Sequence, residues 1–125
     1  MRCSDLAKLA AVTFIAGCAP VAAPPLDGSY RLAGIDGAPI AGTANLQIDG
    51  ATLSGHGPCN RFHAQNLSQW PQIDLTAIAS TRRLCVQDGG EAAFLAALGQ
   101  VETARRTRDV LTLSGPDHIL RFTAE

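Results

Sequence analysis

The stretch Ala44-Asn45-Leu46-Gln47-Ile48-Asp49-Gly50-Ala51-Thr52-Leu53-Ser54 alternates apolar and polar residues on both sides of an Asp-Gly pair. Successive side chains of a strand point to opposite faces, so this alternation with a two-residue break predicts a β-hairpin turning at Asp49-Gly50. A second hairpin is predicted near the C-terminus, where Val110 to Leu113 and His118 to Phe122 flank Ser114-Gly115-Pro116-Asp117. Its register would place Leu111, Leu113, Leu120 and Phe122 on one buried face. Ser29 to Ile35, Arg61 to Leu67, Asp74 to Ala79 and Val101 to Arg106 are further candidate strands.

One segment breaks the period-two pattern. Asp88 is a candidate N-cap with Glu91 three residues on, and Phe94, Leu95 and Leu98 fall on one helical face before Gly99. This reads as a capped amphipathic helix of about two and a half turns. Many short strands with a single helix imply a mainly β (α+β) domain: a small antiparallel curved sheet or barrel with one short α-helix covering or plugging it.

The N-terminus carries a different message. Arg2 and Lys8 flank a weakly basic start, and Leu9 to Ala16 form a short apolar run that leads into Ile15-Ala16-Gly17-Cys18. That layout is a signal peptide over residues 1–17, too short in its apolar part for a membrane span. Its end resembles a bacterial lipobox, which implies that Cys18 becomes an acylated (palmitate-type) first residue. Residues 18–26, with Ala19-Pro20-Val21-Ala22-Ala23-Pro24-Pro25, read as an extended tether, leaving 27–125 for the folded domain. The expected location is therefore a bacterial cell envelope, at the periplasmic face of the outer membrane, with the membrane itself as first partner through the lipid.

With 10 basic and 11 acidic residues the chain has a formal net charge of −1, which offers nothing to nucleic acid. Arg105, Arg106 and Arg108 read as a solvated face. Once Cys3 leaves with the leader and Cys18 is acylated, Cys59 and Cys85 remain, and in an oxidising compartment the simplest reading is one disulfide. Two sharper readings stay open beside it: a nucleophilic Cys59 with His56 or His63 as base, and a zinc site from His56, Cys59, His63 and Cys85. There are no paired carboxylates, no Ser/His/Asp motif and no phosphate-cradling loop. The expectation is thus a monomeric, non-enzymatic domain without catalytic residues, metal or cofactor.

Several short motifs occur in a fixed order: Tyr30-x-Leu32, Leu53-Ser54-Gly55, Cys59-Asn60-Arg61-Phe62, Ile78-Ala79-x-Thr81-x-x-Leu84-Cys85, Glu91-x-x-Phe94-Leu95-x-x-Leu98, Leu111-x-Leu113 and Leu120-x-Phe122. From about residue 27 to 124 this pattern resembles the META domain, the family of the HslJ heat-shock lipoprotein. Two positions depart from it. Tyr30 stands where the family usually has Trp, and Pro58 where it has Gly before the cysteine. The resemblance implies a β-rich domain with an envelope role in stress or drug tolerance and no catalytic residues. Asn60 is read as holding a turn and Phe62 as entering the core, while Asn60, Arg61, His56 and His63 form the candidate partner surface. An inhibitor or regulator of an extracytoplasmic hydrolase such as a lysozyme is the alternative, and it would present a rigid exposed loop with an ionic residue, for which Arg61 or the Arg105 to Arg108 turn are the candidates. His118 is expected to be simply exposed.

Overall fold

The computed structural model describes residues 25–125. The expected signal peptide, Cys18 and most of the tether lie outside the described residues. Eight strands form a single antiparallel sheet: β1 (Gly28–Ile35), β2 (Asn45–Asp49), β3 (Thr52–His56), β4 (Arg61–Gln65), β5 (Ile78–Ser80), β6 (Thr103–Thr107), β7 (Val110–Ser114) and β8 (Ile119–Ala124). Their spatial order is β5-β4-β3-β2-β1-β8-β7-β6, so the chain's two halves meet where β1 pairs with β8. The sheet curls into a half-barrel around the helix α1 (Glu91–Leu98).

The first hairpin forms where the alternation requires it, with Ile48 opposite Leu53. Its turn sits one residue later than Asp49-Gly50. Asp49 pairs with Thr52, which leaves Gly50 and Ala51 as the loop, and only Gly50 takes a positive φ, of 59°. Glycine at the first loop position is the type II′ requirement, and it displaces the Asp-Gly reading. The C-terminal hairpin pairs Leu111 with Phe122 and Leu113 with Leu120, and all four side chains are fully buried.

The expected strand from Asp74 to Ala79 is shortened to Ile78–Ser80. Upstream of it the backbone is engaged elsewhere. Ile73 N–H donates to Glu102 O, Ala104 N–H donates to Pro71 O, and Gln72 bridges to Thr103, so this segment covers the free edge of β6.

α1 fills the concave side. Phe94 is fully buried and meets Phe62 of β4 edge-to-face at 5.6 Å and Phe122 of β8 at 6.3 Å. One side chain therefore joins both halves of the sheet, in the geometry aromatic quadrupoles favour. The helix start differs from the Asp88 cap expected. Gly90, with φ 95°, is the N-cap, and the Asp88 carboxylate reaches in from two residues outside to accept the Gly90 and Ala92 N–H groups at 3.1 and 3.2 Å. Gly89 and Gly90 both adopt positive φ, which lets the chain turn once more after Asp88.

Candidate functional site

At the end of the sheet where β3 turns into β4, Gly57 N–H donates to Asn60 O across the turn at 2.8 Å. This is the Gly-Pro-Cys-Asn stretch. Pro58 is accommodated because the turn places no positive φ there, and the essential glycine is Gly57, where a Cβ would lie 2.5 Å from Glu91 Oε1. The absent side chain makes room for a carboxylate.

That carboxylate organises the region. Glu91 Oε1 accepts the N–H groups of Cys59 at 3.0 Å and Asn60 at 2.6 Å, and Oε2 accepts Asn60 Nδ2 at 2.8 Å. Asn60 Oδ1 in turn accepts Thr81 Oγ1–H at 2.9 Å and the Arg83 N–H at 2.6 Å, while Thr81 Oγ1 takes the Arg61 N–H. Glu91 and Asn60 are both buried, and no buried side-chain polar atom among the described residues lacks a partner. Burial opposes ionisation of Glu91, but the three donors from Asn60 and Cys59 outweigh it and hold the carboxyl below its usual value of 4.5.

The spacing Asp88-x-x-Glu91 suggested a capping box. The glutamate instead points away from its own helix start and locks a loop 31 residues upstream. Nothing in the local pattern could reveal that partner, although the joint occurrence of Cys59-Asn60, Thr81 and Cys85 was the available signal.

Cys59 and Cys85 form a disulfide with Cα atoms 6.2 Å apart. Neither sulfur is available as a nucleophile or a metal ligand, so the two sharper readings of Cys59 fall. Among the described residues no group of three or more His, Cys, Asp or Glu side chains could hold a metal ion. The segment from Thr81 to Asp88 has no regular structure and all eight residues are exposed, with Leu84 and Val86 completely so. It is nevertheless tied down by the disulfide and the Asn60 carboxamide.

The four candidate surface residues divide into two groups. Asn60 faces inward and serves as the hub. His56, Arg61 and His63 are exposed on the outer face of β3 and β4, where strand pairing aligns Ser54 with His63 and His56 with Arg61. With Gln47, Ser54 and Thr81 they line a groove of about 580 Å³ whose wall also takes in the apolar Leu46 and Phe62. Its wall includes a fork between β2 and β3, where Asn45 Oδ1 takes the His56 N–H at 2.7 Å in place of a strand partner.

Other expectations resolve locally. Tyr30 fills the position where Trp is usual, fully buried, with its hydroxyl donating to Leu26 O and accepting from Arg106. His118 is exposed, yet its Nδ1 lies 2.6 Å from Asp36 Oδ2, and that hydrogen bond is the main reason the Asp36 carboxyl is held below its usual value. Arg106 departs from the solvated face predicted for its cluster, since its guanidinium stacks 5.5 Å from the Tyr30 ring centroid.

Comparison with known proteins extends these observations. A solved NMR structure of a protein from Burkholderia xenovorans superposes with a TM-score of 0.64 at 18% identity, covering 86% of this chain and 94% of that one. A second NMR structure gives a TM-score of 0.61 at 17% identity, covering 78% and 88%. At such identities the likeness concerns the fold alone. No curated protein matches the chain. The META domain family matches residues 23–125, which takes in the whole sheet, the helix and the Glu91-centred lock. This chain belongs to the META domain family.

Proposed function

We propose that this protein is a lipid-anchored, non-enzymatic domain of the bacterial envelope that acts by binding, through the groove carrying His56, Arg61 and His63. The observation that carries the reading is the division of labour around the Gly57 to Phe62 turn. The buried groups Asn60 and Glu91 are fully spent on one another, on the Thr81 hydroxyl and on backbone, whereas Arg61, His56 and His63 sit on paired strands with their polar ends free of any ion pair among the described residues. One guanidinium and two imidazoles beside a groove of this size suit a polar or anionic ligand. Membership of a family not known for enzymatic activity supports the non-catalytic reading. The lipobox-like Ile15-Ala16-Gly17-Cys18 and the Ala/Pro segment after it support the anchor. The reading is tested in the native host. Cys18→Ala should release the protein from membranes. The double variant Arg61→Ala with His63→Ala should stay membrane-bound and fully folded while losing the stress- or drug-tolerance phenotype of the wild type. A wild-type phenotype from that double variant would dismiss the groove.

One observation favours the second reading, an inhibitor of an extracytoplasmic hydrolase. The segment from Thr81 to Asp88 is an exposed loop held rigidly by the disulfide and Asn60, and it presents Arg82 and Arg83. Inhibition of lysozyme by the wild type that Arg82→Ala with Arg83→Ala removes would move the function to this loop.

A further inference from the structure

We infer that a second site, at the opposite end of the sheet from the Gly57 turn, binds the acyl chain of a free, single-chain carboxylate amphiphile. An apolar groove of about 430 Å³ opens there between Leu26, Trp70, Pro71 and Ala104, with Arg105 and Arg106 at its rim. The volume falls within the range of small-molecule sites, and the lining is predominantly apolar with a few convergent polar groups, as such sites require.

The cationic rim gives the groove its preference. Arg106 is half-buried and fixed, since its Nε donates to Arg108 O at 2.9 Å, one terminal nitrogen donates to Tyr30 Oη at 3.0 Å, and the guanidinium lies over the Tyr30 ring. Those two bonds use two of five N–H donors, so three remain to be offered. Among the described residues neither Arg105 nor Arg106 is ion-paired with a carboxylate. An immobilised guanidinium with spare donors beside an apolar groove is complementary to a carboxylate joined to an apolar chain. This inference does not rest on the His56/Arg61/His63 groove or on the lipid anchor. The anchor reading would only add that this end, immediately after the tether, is the one nearest the membrane from which such amphiphiles come.

The chain carries a single tryptophan, and it is Trp70, whose Nε1–H is pinned to Gly50 O at 2.8 Å. Its fluorescence therefore reports this groove alone. The experiment titrates the full chain with 11-bromoundecanoate, whose bromine quenches tryptophan on contact, and in parallel with 11-bromoundecanol below the aggregation limit of each. Expected is saturable quenching by the acid and at least roughly tenfold weaker binding of the alcohol, the size of losing one charge-assisted hydrogen bond. Arg105→Glu should weaken the acid by a similar factor, and Thr103→Phe, at an exposed position lining the groove, should block it. Thermal melting checks that both variants fold, and the comparison of acid with alcohol stands on the wild type alone. Absence of saturable quenching, equal affinity for the alcohol, or full quenching in folded Thr103→Phe would overturn the inference. So would quenching seen only with vesicles of brominated phosphatidylglycerol, which would make this end a membrane-contact surface and not a ligand site.

Discussion

The two ends of the half-barrel core are held by different physics. On the β6–β8 side, Leu111, Leu113, Leu120 and Phe122 are packed against Phe94, and register follows from burying one face of alternating strands. At the Gly57 turn the fixing agents are few, polar and covalent: one carboxylate, one carboxamide, one hydroxyl and one disulfide. Apolar burial spreads its stabilisation over many contacts and is indifferent to protons and thiols. A polar lock concentrates stabilisation in a few groups, which are expensive to leave unmet once buried. The same concentration lets an exposed, irregular loop carrying Arg82 to Val86 be held in place without any core of its own.

Four variants separate the two kinds of support. The largest effect is expected at the apolar joint. Phe94→Ala should cost about 3–5 kcal/mol in urea unfolding, because the vacated space lies between two other rings that cannot both collapse into it, and the loss should be the same at pH 7 and pH 4. Next comes the covalent tie. Cys59→Ala with Cys85→Ala opens a loop of sequence separation 26 and should cost roughly 3.5 kcal/mol on the chain-entropy account. Reduction of the wild type should match it, while Phe94→Ala should leave the response to reductant unchanged.

Glu91→Gln comes third, at about 2 kcal/mol near neutral pH, because an amide N–H2 is placed against donors that need an acceptor. Its pH dependence follows from the direction of the shift. The folded carboxyl titrates below its usual value of 4.5, so the unfolded chain binds its proton first as pH falls. The contribution is complete above about 4.5 and is lost as pH drops through the folded-state value. The gap between wild type and Glu91→Gln should therefore narrow in acid, as read from unfolding midpoints across pH 3 to 7. The smallest effect belongs to the loop surface. Leu84→Ser, at a completely exposed position, should change stability by under about 0.5 kcal/mol.

Much of the apolar architecture was legible in the sequence, because period-two alternation and the Phe94/Leu98 face report burial directly. The turn at Gly50 was displaced by one residue because Asp-Gly reads as a type I′ pair, whereas the pairing of Asp49 with Thr52 calls for glycine first. Asp74 to Ala77 were misread as strand because an alternating pattern does not show where the backbone bonds go: Asp74 exchanges bonds with the loop residues Asn66 and Leu67 and not with a strand. The lock was harder still. Glu91 is three residues after an Asp and looks local, while its partners lie across the fold. Asn60 reads as holding the turn and also as part of a partner surface, because polarity in a turn ordinarily means exposure; its burial shows that it is spent inward. Arg106 was hidden for a similar reason, since its stacking on Tyr30 joins residues 76 apart in the chain.

Glu91 and Asn60 act as one unit that holds this end of the fold. A double-mutant cycle on Asn60→Ala and Glu91→Ala, read by urea unfolding at pH 7, separates joint from independent action. The double variant should be scarcely less stable than either single variant, with a coupling of about 1–3 kcal/mol. Losses that add to within about 0.5 kcal/mol would mean instead that the two residues support the turn independently.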